Sequence, residues 1–144
     1  MSTTTIRDLL GGREVRHVAP GASLKEAAGL MAAHGVGALA VTEGDVLKGI
    51  LSERDIVFRA VARDRDLGTT SVAEVMTVDP VVVDIEDAIS DALVARLGES
   101  FRHLPVIEAG RVVGLLSYRD IPAKYVMMYE HFREMAGARA DQAG

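Results

Sequence analysis

The chain has 144 residues, 49% of them hydrophobic, with four prolines and a net charge of −5. That length fits one compact unit or two small halves sharing a core, and the composition excludes a disordered chain. With no cysteine there are no disulfides, no thiolate nucleophile and no Cys-ligated zinc or iron–sulfur site; with no tryptophan and only three Phe and three Tyr, the core must be aliphatic.

The acidic balance and scattered basic residues argue against a nucleic-acid partner, which needs concentrated Lys and Arg. No apolar run approaches the ~20 residues of a membrane-spanning helix. Residues 1–5 are not a secretory leader. The expected compartment is the cytoplasm, with no membrane contact.

Residues 5–12 read as a short helical turn capped by Thr5 and ended by Gly11-Gly12. Residues 15–18 read as a strand ended by Pro20-Gly21. Ser23 and Glu26 form a capping-box pattern, and Leu24, Ala27, Ala28 and Met31 then fall on one helix face up to His34-Gly35. A hairpin follows, with strands at 38–42 and 47–51 around Glu43-Gly44-Asp45. A helix spans about 53–62, and 63–70 is a polar linker. The order then recurs. Ser71 and Glu74 form a second capping box, and Val81, Val82 and Val83 a strand after Asp79-Pro80. Ile89, Ala92, Leu93 and Leu97 make a helix stripe with Asp87 as its candidate cap. A second hairpin runs over 104–107 and 112–116, and a longer helix over about 118–136. Its stripe of Ile121, Tyr125, Met128, Phe132 and Met135 outruns the helix of the first half and reads as a homodimer contact, with a flap over its own core as the plainer reading.

Both hairpins end in the same phrase. Gly49-Ile50-Leu51-Ser52-Glu53-Arg54-Asp55-Ile56 returns as Gly114-Leu115-Leu116-Ser117-Tyr118-Arg119-Asp120-Ile121. Over residues 37–56 against 102–121, nine of 20 positions are identical, so the halves are duplicates. The fold class is α+β: two tandem β-α-β-β-α repeats, 1–66 and 67–144, packed through their sheets with pseudo-twofold symmetry. About 65 residues are marginal alone, so the halves must share a core.

The Gly-h-h-Ser-x-x-Asp phrase (h, apolar), its two occurrences in register and the element order resemble a pair of cystathionine-β-synthase (CBS) domains. The resemblance runs from about Ile6 to Met135. Met76-Thr77 before a strand, Leu104-Pro105-Val106 and Ser52-Glu53-Arg54-Asp55 are also similar to bacterial stand-alone members. The resemblance implies a non-catalytic regulatory module with no required cofactor. It implies an adenosine ligand in the clefts between repeats: AMP first, with NAD(H), ATP and S-adenosylmethionine sharing the same adenosine grip. It further implies a homodimer forming a disc of four repeats, and an effector protein of unknown identity.

The motif suits that chemistry. A strand running into a helix N-terminus presents unpaired N–H groups to an anion. Ser52 or Ser117 adds a hydroxyl, Arg54 a cation, and Asp55 or Asp120 an acceptor for two ribose hydroxyls; Arg119 has the plainer reading of pointing to solvent. By the resemblance, Arg102 and His103 meet the phosphate of a ligand held by the other repeat. Their counterparts Gly37 and Ala38 carry no charge. The expectation is therefore a phosphate-favouring cleft around Ser52, Arg54 and Asp55, faced by Arg102 and His103. The cleft of Ser117, Arg119 and Asp120 is expected to take another ligand or stay empty. A plainer reading stands beside it: the serines are helix caps, the aspartates dipole-favouring acids, Arg102 and His103 a solvated hairpin edge, and the chain a ligand-independent interaction module. His17, His34, His103 and His131 show no metal-ligand spacing. Ser52, His103 and Asp55 make a hydrolytic triad on paper only, because Ser52 lacks a nucleophile elbow.

Overall fold

The hairpins of the two halves fold alike down to their irregularities. The structure, a computed structural model, describes residues 5–89, 102–117, 120, 127 and 131. In chain order the elements are α1 (Ile6–Leu10), β1 (His17–Val18), α2 (Leu24–His34), β2 (Ala38–Glu43), β3 (Val46–Ser52), α3 (Glu53–Arg59), β4 (Thr77–Val78), β5 (Val83–Asp84), β6 (His103–Glu108) and β7 (Arg111–Ser117). Short 3-10 turns lie at Val61–Arg63 and Val72–Glu74. One sheet has the order β1-β2-β3-β4 and the other β5-β6-β7. β1 runs parallel to β2, and β5 to β6, as a crossover connection requires. Each hairpin carries a register shift at the same place, between Val41 and Thr42 in one and Val106 and Ile107 in the other. β7 lies against β2 and β3, so the sheets do pack on each other.

The sequence signals place most boundaries. Thr5 caps α1, with Asp8 returning the bond, and Gly11 ends it at φ 58°. Ser23 caps α2 through the N–H of Glu26, and Gly35 ends it at φ 63°. Leu24, Ala27 and Met31 are buried as their spacing requires. Differences are local. The strand expected at 15–18 shrinks to His17–Val18, and the helix expected to Ala62 stops at Arg59 and tightens into the 3-10 turn. Ala92, Leu93, Leu97 and the stripe from Ile121 to Met135 lie outside the described residues. Met127 and His131 are helical and exposed.

The two cores are built by exchange. Ile6 and Arg7 donate their N–H groups to the carbonyls of Asp87 and Ile85, at 2.9 and 3.0 Å. In the same way Val72 and Ala73 donate to Ala22 and Pro20, at 2.8 and 2.9 Å. The leading turn of each repeat therefore docks on the other. Ile6 and Leu10 are buried with Val83, Ile85, Leu104, Val106 and Leu116. Val72 and Val75 are buried with Val18, Leu24, Leu39, Val41 and Leu51. Each hydrophobic core therefore draws residues from both halves of the chain. Arg7 reinforces the exchange by pairing with Glu86 and Glu108.

Ile6→Ala is expected to cost about 2–5 kcal/mol, the range for emptying a fully buried aliphatic site. Hydrogen exchange should rise first in β6 and β7, not in β2 and β3; a rise confined to the first sheet would contradict the exchange.

The Ser71 N–H, then its hydroxyl, then Arg65 hold the Glu74 carboxyl below the usual carboxylate range. A lowered folded-state value means stability that is present above the unfolded-state value and lost as pH falls through the folded one. The stability difference between wild type and Glu74→Gln should therefore be present at neutral pH and vanish in acid, as read from urea midpoints across a pH series.

Candidate functional site

β7 delivers the second motif. Ser117 ends the strand, and its N–H donates to Oδ2 of Asp120 at 2.7 Å. His103 begins β6 directly across the ladder from Ser117. The antiparallel register therefore sets Arg102 and His103 beside the end of the motif strand. The other carboxylate oxygen of Asp120 accepts from Nη1 of Arg13 at 2.9 Å. Arg13 follows α1, and its guanidinium also donates to the carbonyls of Leu10 (3.0 Å) and Leu9 (3.3 Å) at the end of that helix. The Arg13 side chain is half-exposed while that of Asp120 is 16% exposed, so the pair itself contributes only about 0–1 kcal/mol.

These groups line a cavity of about 560 Å³ between the repeats, within the range that accepts small molecules. One wall is Gly114, Leu115, Ser117 and Asp120. Residues 34–38 with Glu53 also line it, as do Leu10 and residues 13–16; Arg102 and His103 complete the lining. Leu10, Val15, Val36 and Leu115 supply apolar surface. The lining carries Arg13, Arg16 and Arg102 together with Glu14, Glu53 and Asp120, three groups of each sign. Gly37 permits the close approach of β2: a Cβ there would sit 3.2 Å from Oε1 of Glu53 and 3.7 Å from Nε2 of His103.

The first motif is built alike but placed differently. Ser52 caps α3: its hydroxyl accepts the Asp55 N–H at 3.1 Å, and its N–H donates to Asp55 at 3.0 Å. Asp55 also accepts from the Thr77 hydroxyl at 3.4 Å and lies 3.8 Å from Nε of Arg59. Arg54 is exposed and stacks over the Phe58 ring, 4.9 Å from its centroid. Ser52, Arg54 and Asp55 are not on the cavity wall; Arg102 and His103 are. This cavity brings Arg102 and His103 together with Ser117 and Asp120 of the second motif and with Glu53 of the first. In a hairpin, the start of one strand lies beside the end of its partner, so His103 belongs with Ser117 as Ala38 belongs with Ser52. Arg119 lies outside the described residues.

The clefts differ because of one dipeptide. Thr77-Val78 extends the first sheet as β4, pairing with Gly49 and Ile50 on the edge of β3. The positions 66 residues earlier are Gly11-Gly12, at φ 58° and 81°, a left-handed conformation that cannot form a strand. Among the described residues β7 is therefore the edge of its sheet, beside the cavity. Sequence reasoning missed Arg13, Arg16, Glu14 and Glu53. The alignment of residues 13–16 with 79–82 could have shown them flanking the second motif, as β4 flanks the first. Among the described residues, no cluster of three or more His, Asp or Glu could hold a metal ion. Again among the described residues, no helix is long and apolar enough to cross a membrane.

Gly49→Ala would put a Cβ 2.6 Å from the Thr77 carbonyl oxygen, whereas Gly114→Ala would meet the movable Leu10 side chain at 2.7 Å. The first should cost about 1–3 kcal/mol, the usual range for overpacking, and the second clearly less. Urea unfolding of the two variants checks the order.

The tandem sheets, the paired motifs and the cleft between them define a CBS-domain pair. The CBS domain family model matches residues 5–61 and 72–123, and the chain belongs to this family. It is 38% identical over 108 residues to the CBS domain-containing protein YhcV of Bacillus subtilis, covering 75% of this chain and 76% of that one. A CBS-domain-containing protein of Agrobacterium tumefaciens superposes with a TM-score of 0.72 at 37% identity, over 81% of this chain and 95% of the other. A CBS domain protein of Pyrobaculum aerophilum complexed with AMP superposes with a TM-score of 0.77 at 26% identity, over 89% and 99%.

Proposed function

We propose that this chain is a non-catalytic regulatory module that binds an adenine nucleotide, AMP best, in the cavity between its repeats. The observation that carries the reading is the meeting of Ser117, Asp120, Arg102 and His103 around one cavity of about 560 Å³. The AMP complex of the Pyrobaculum aerophilum relative supports it. Asp120 takes the ribose hydroxyls, and the apolar wall of Val36 and Leu115 takes the adenine face. Arg102, His103 and Arg16 neutralise a single phosphate. The acids Glu14 and Glu53 in the same lining disfavour a triphosphate. Ser52, Arg54 and Asp55, with Arg119 and the second-motif residues, form the wider ligand-binding set. Binding shifts the packing of the repeats only as far as the ligand prefers one arrangement. The output passes by contact to an effector protein, from a homodimer of four repeats working in the cytoplasm.

The test is nucleotide binding by protein stripped of co-purified ligand. AMP at a hundred times its dissociation constant should stabilise the fold by about 2.7 kcal/mol, read as a rise in Tm. Asp120→Ala should weaken AMP about tenfold or more, by removing a charged acceptor from a ligand hydroxyl. A stripped protein whose Tm and titration signal ignore every adenine nucleotide would instead be a ligand-independent interaction module.

A further inference from the structure

We infer that Arg13 sets the preference of this cavity for a phosphorylated over an unphosphorylated nucleoside. It does so by holding Asp120 until a ligand takes its place. The inference rests on the proposed nucleotide-binding reading and adds a residue outside the repeated motif.

Arg13 has two kinds of partner. Nε donates to the carbonyl of Leu10, which also accepts the Arg13 N–H at 3.1 Å, and Nη2 donates to that of Leu9, both at the end of α1. Nη1 donates to Asp120. The first pair of bonds fixes the guanidinium at the cavity wall. The third covers the carboxylate that a ribose would need. The Arg13 side of the pair is half-exposed and screened by water, so a ligand can displace it, and displacement does not carry the cation away. Arg13 stays anchored on α1 with one N–H edge turned to the cavity, and a phosphate there regains the charge-assisted bond that Asp120 gave up. A nucleoside without phosphate displaces the same bond and leaves that edge unpaired. Arginine suits the role because its planar fork reaches backbone carbonyls and an anion together, which a lysine ammonium on a flexible stem does not.

The experiment compares adenosine and AMP by calorimetric titration of the full chain, as wild type, Arg13→Ala, Arg13→Lys and Asp120→Asn. In Arg13→Ala, adenosine should bind about two- to fivefold more tightly, the range of a released surface ion pair. AMP should bind about tenfold or more weakly, the range of a lost hydrogen bond to a charged group, so the AMP-to-adenosine preference collapses. Arg13→Lys should restore part of the preference. Asp120→Asn should weaken both ligands while keeping the preference, which separates the two roles. The Tm of each unliganded variant verifies folding. An Arg13→Ala chain that binds both ligands with an unchanged affinity ratio overturns the role of Arg13 and leaves the nucleotide site standing. A wild-type chain that binds neither ligand removes the proposed function and this inference together.

Discussion

The hydrogen bonds from Ile6 and Arg7 to Asp87 and Ile85, and their twins from Val72 and Ala73 to Ala22 and Pro20, fix the relation between the halves. The core of each hairpin sheet includes a turn that arrives from the other repeat. Ile6 and Val72 are fully buried at equivalent places in the two cores. Once these turns are docked, the segments that follow them must run along the opposite repeat's motif strand. That path brings Arg13 to Asp120 and Thr77 to Asp55. The cleft geometry is thus a consequence of how the cores are closed.

The same constraint explains why near-identical motifs have unequal surroundings. Gly49 and Gly114 occupy equivalent strand positions, yet one faces the Thr77 backbone and the other the Leu10 side chain. The difference was written into the connecting segments, where Gly11-Gly12 stands against Thr77-Val78. Two left-handed residues turn the chain aside and leave β7 open to the cavity. Two β-favouring residues continue the sheet.

Much of this was legible from local chemistry. Caps at Thr5, Ser52 and Ser71, glycines ending α1 and α2, and the alternation of the hairpins all depend on neighbours a few residues away. The exchange of leading turns was not, because the periodicity that reveals an apolar face does not say which half covers it. The family resemblance sets Arg102 and His103 opposite the first motif. The register of their own hairpin, which joins His103 to Ser117, is a shorter and stronger constraint. Arg13 escaped notice because it lies outside the repeated phrase, and its partner is 107 positions away.

The crossed leading turns also bear on how such a chain could have arisen. Their exchange is reciprocal: the same segment of each half enters the same groove of the other, as in an isologous dimer with swapped arms. A single repeat with its own leading turn would carry all the parts needed to embrace a second copy. Joining two copies through the segment 63–70 turns that bimolecular encounter into an intramolecular one, at an effective concentration set by the tether. Once joined, the copies are free to diverge, one keeping a covered strand edge and the other an open one. A symmetric assembly of separate subunits could not hold that division of labour.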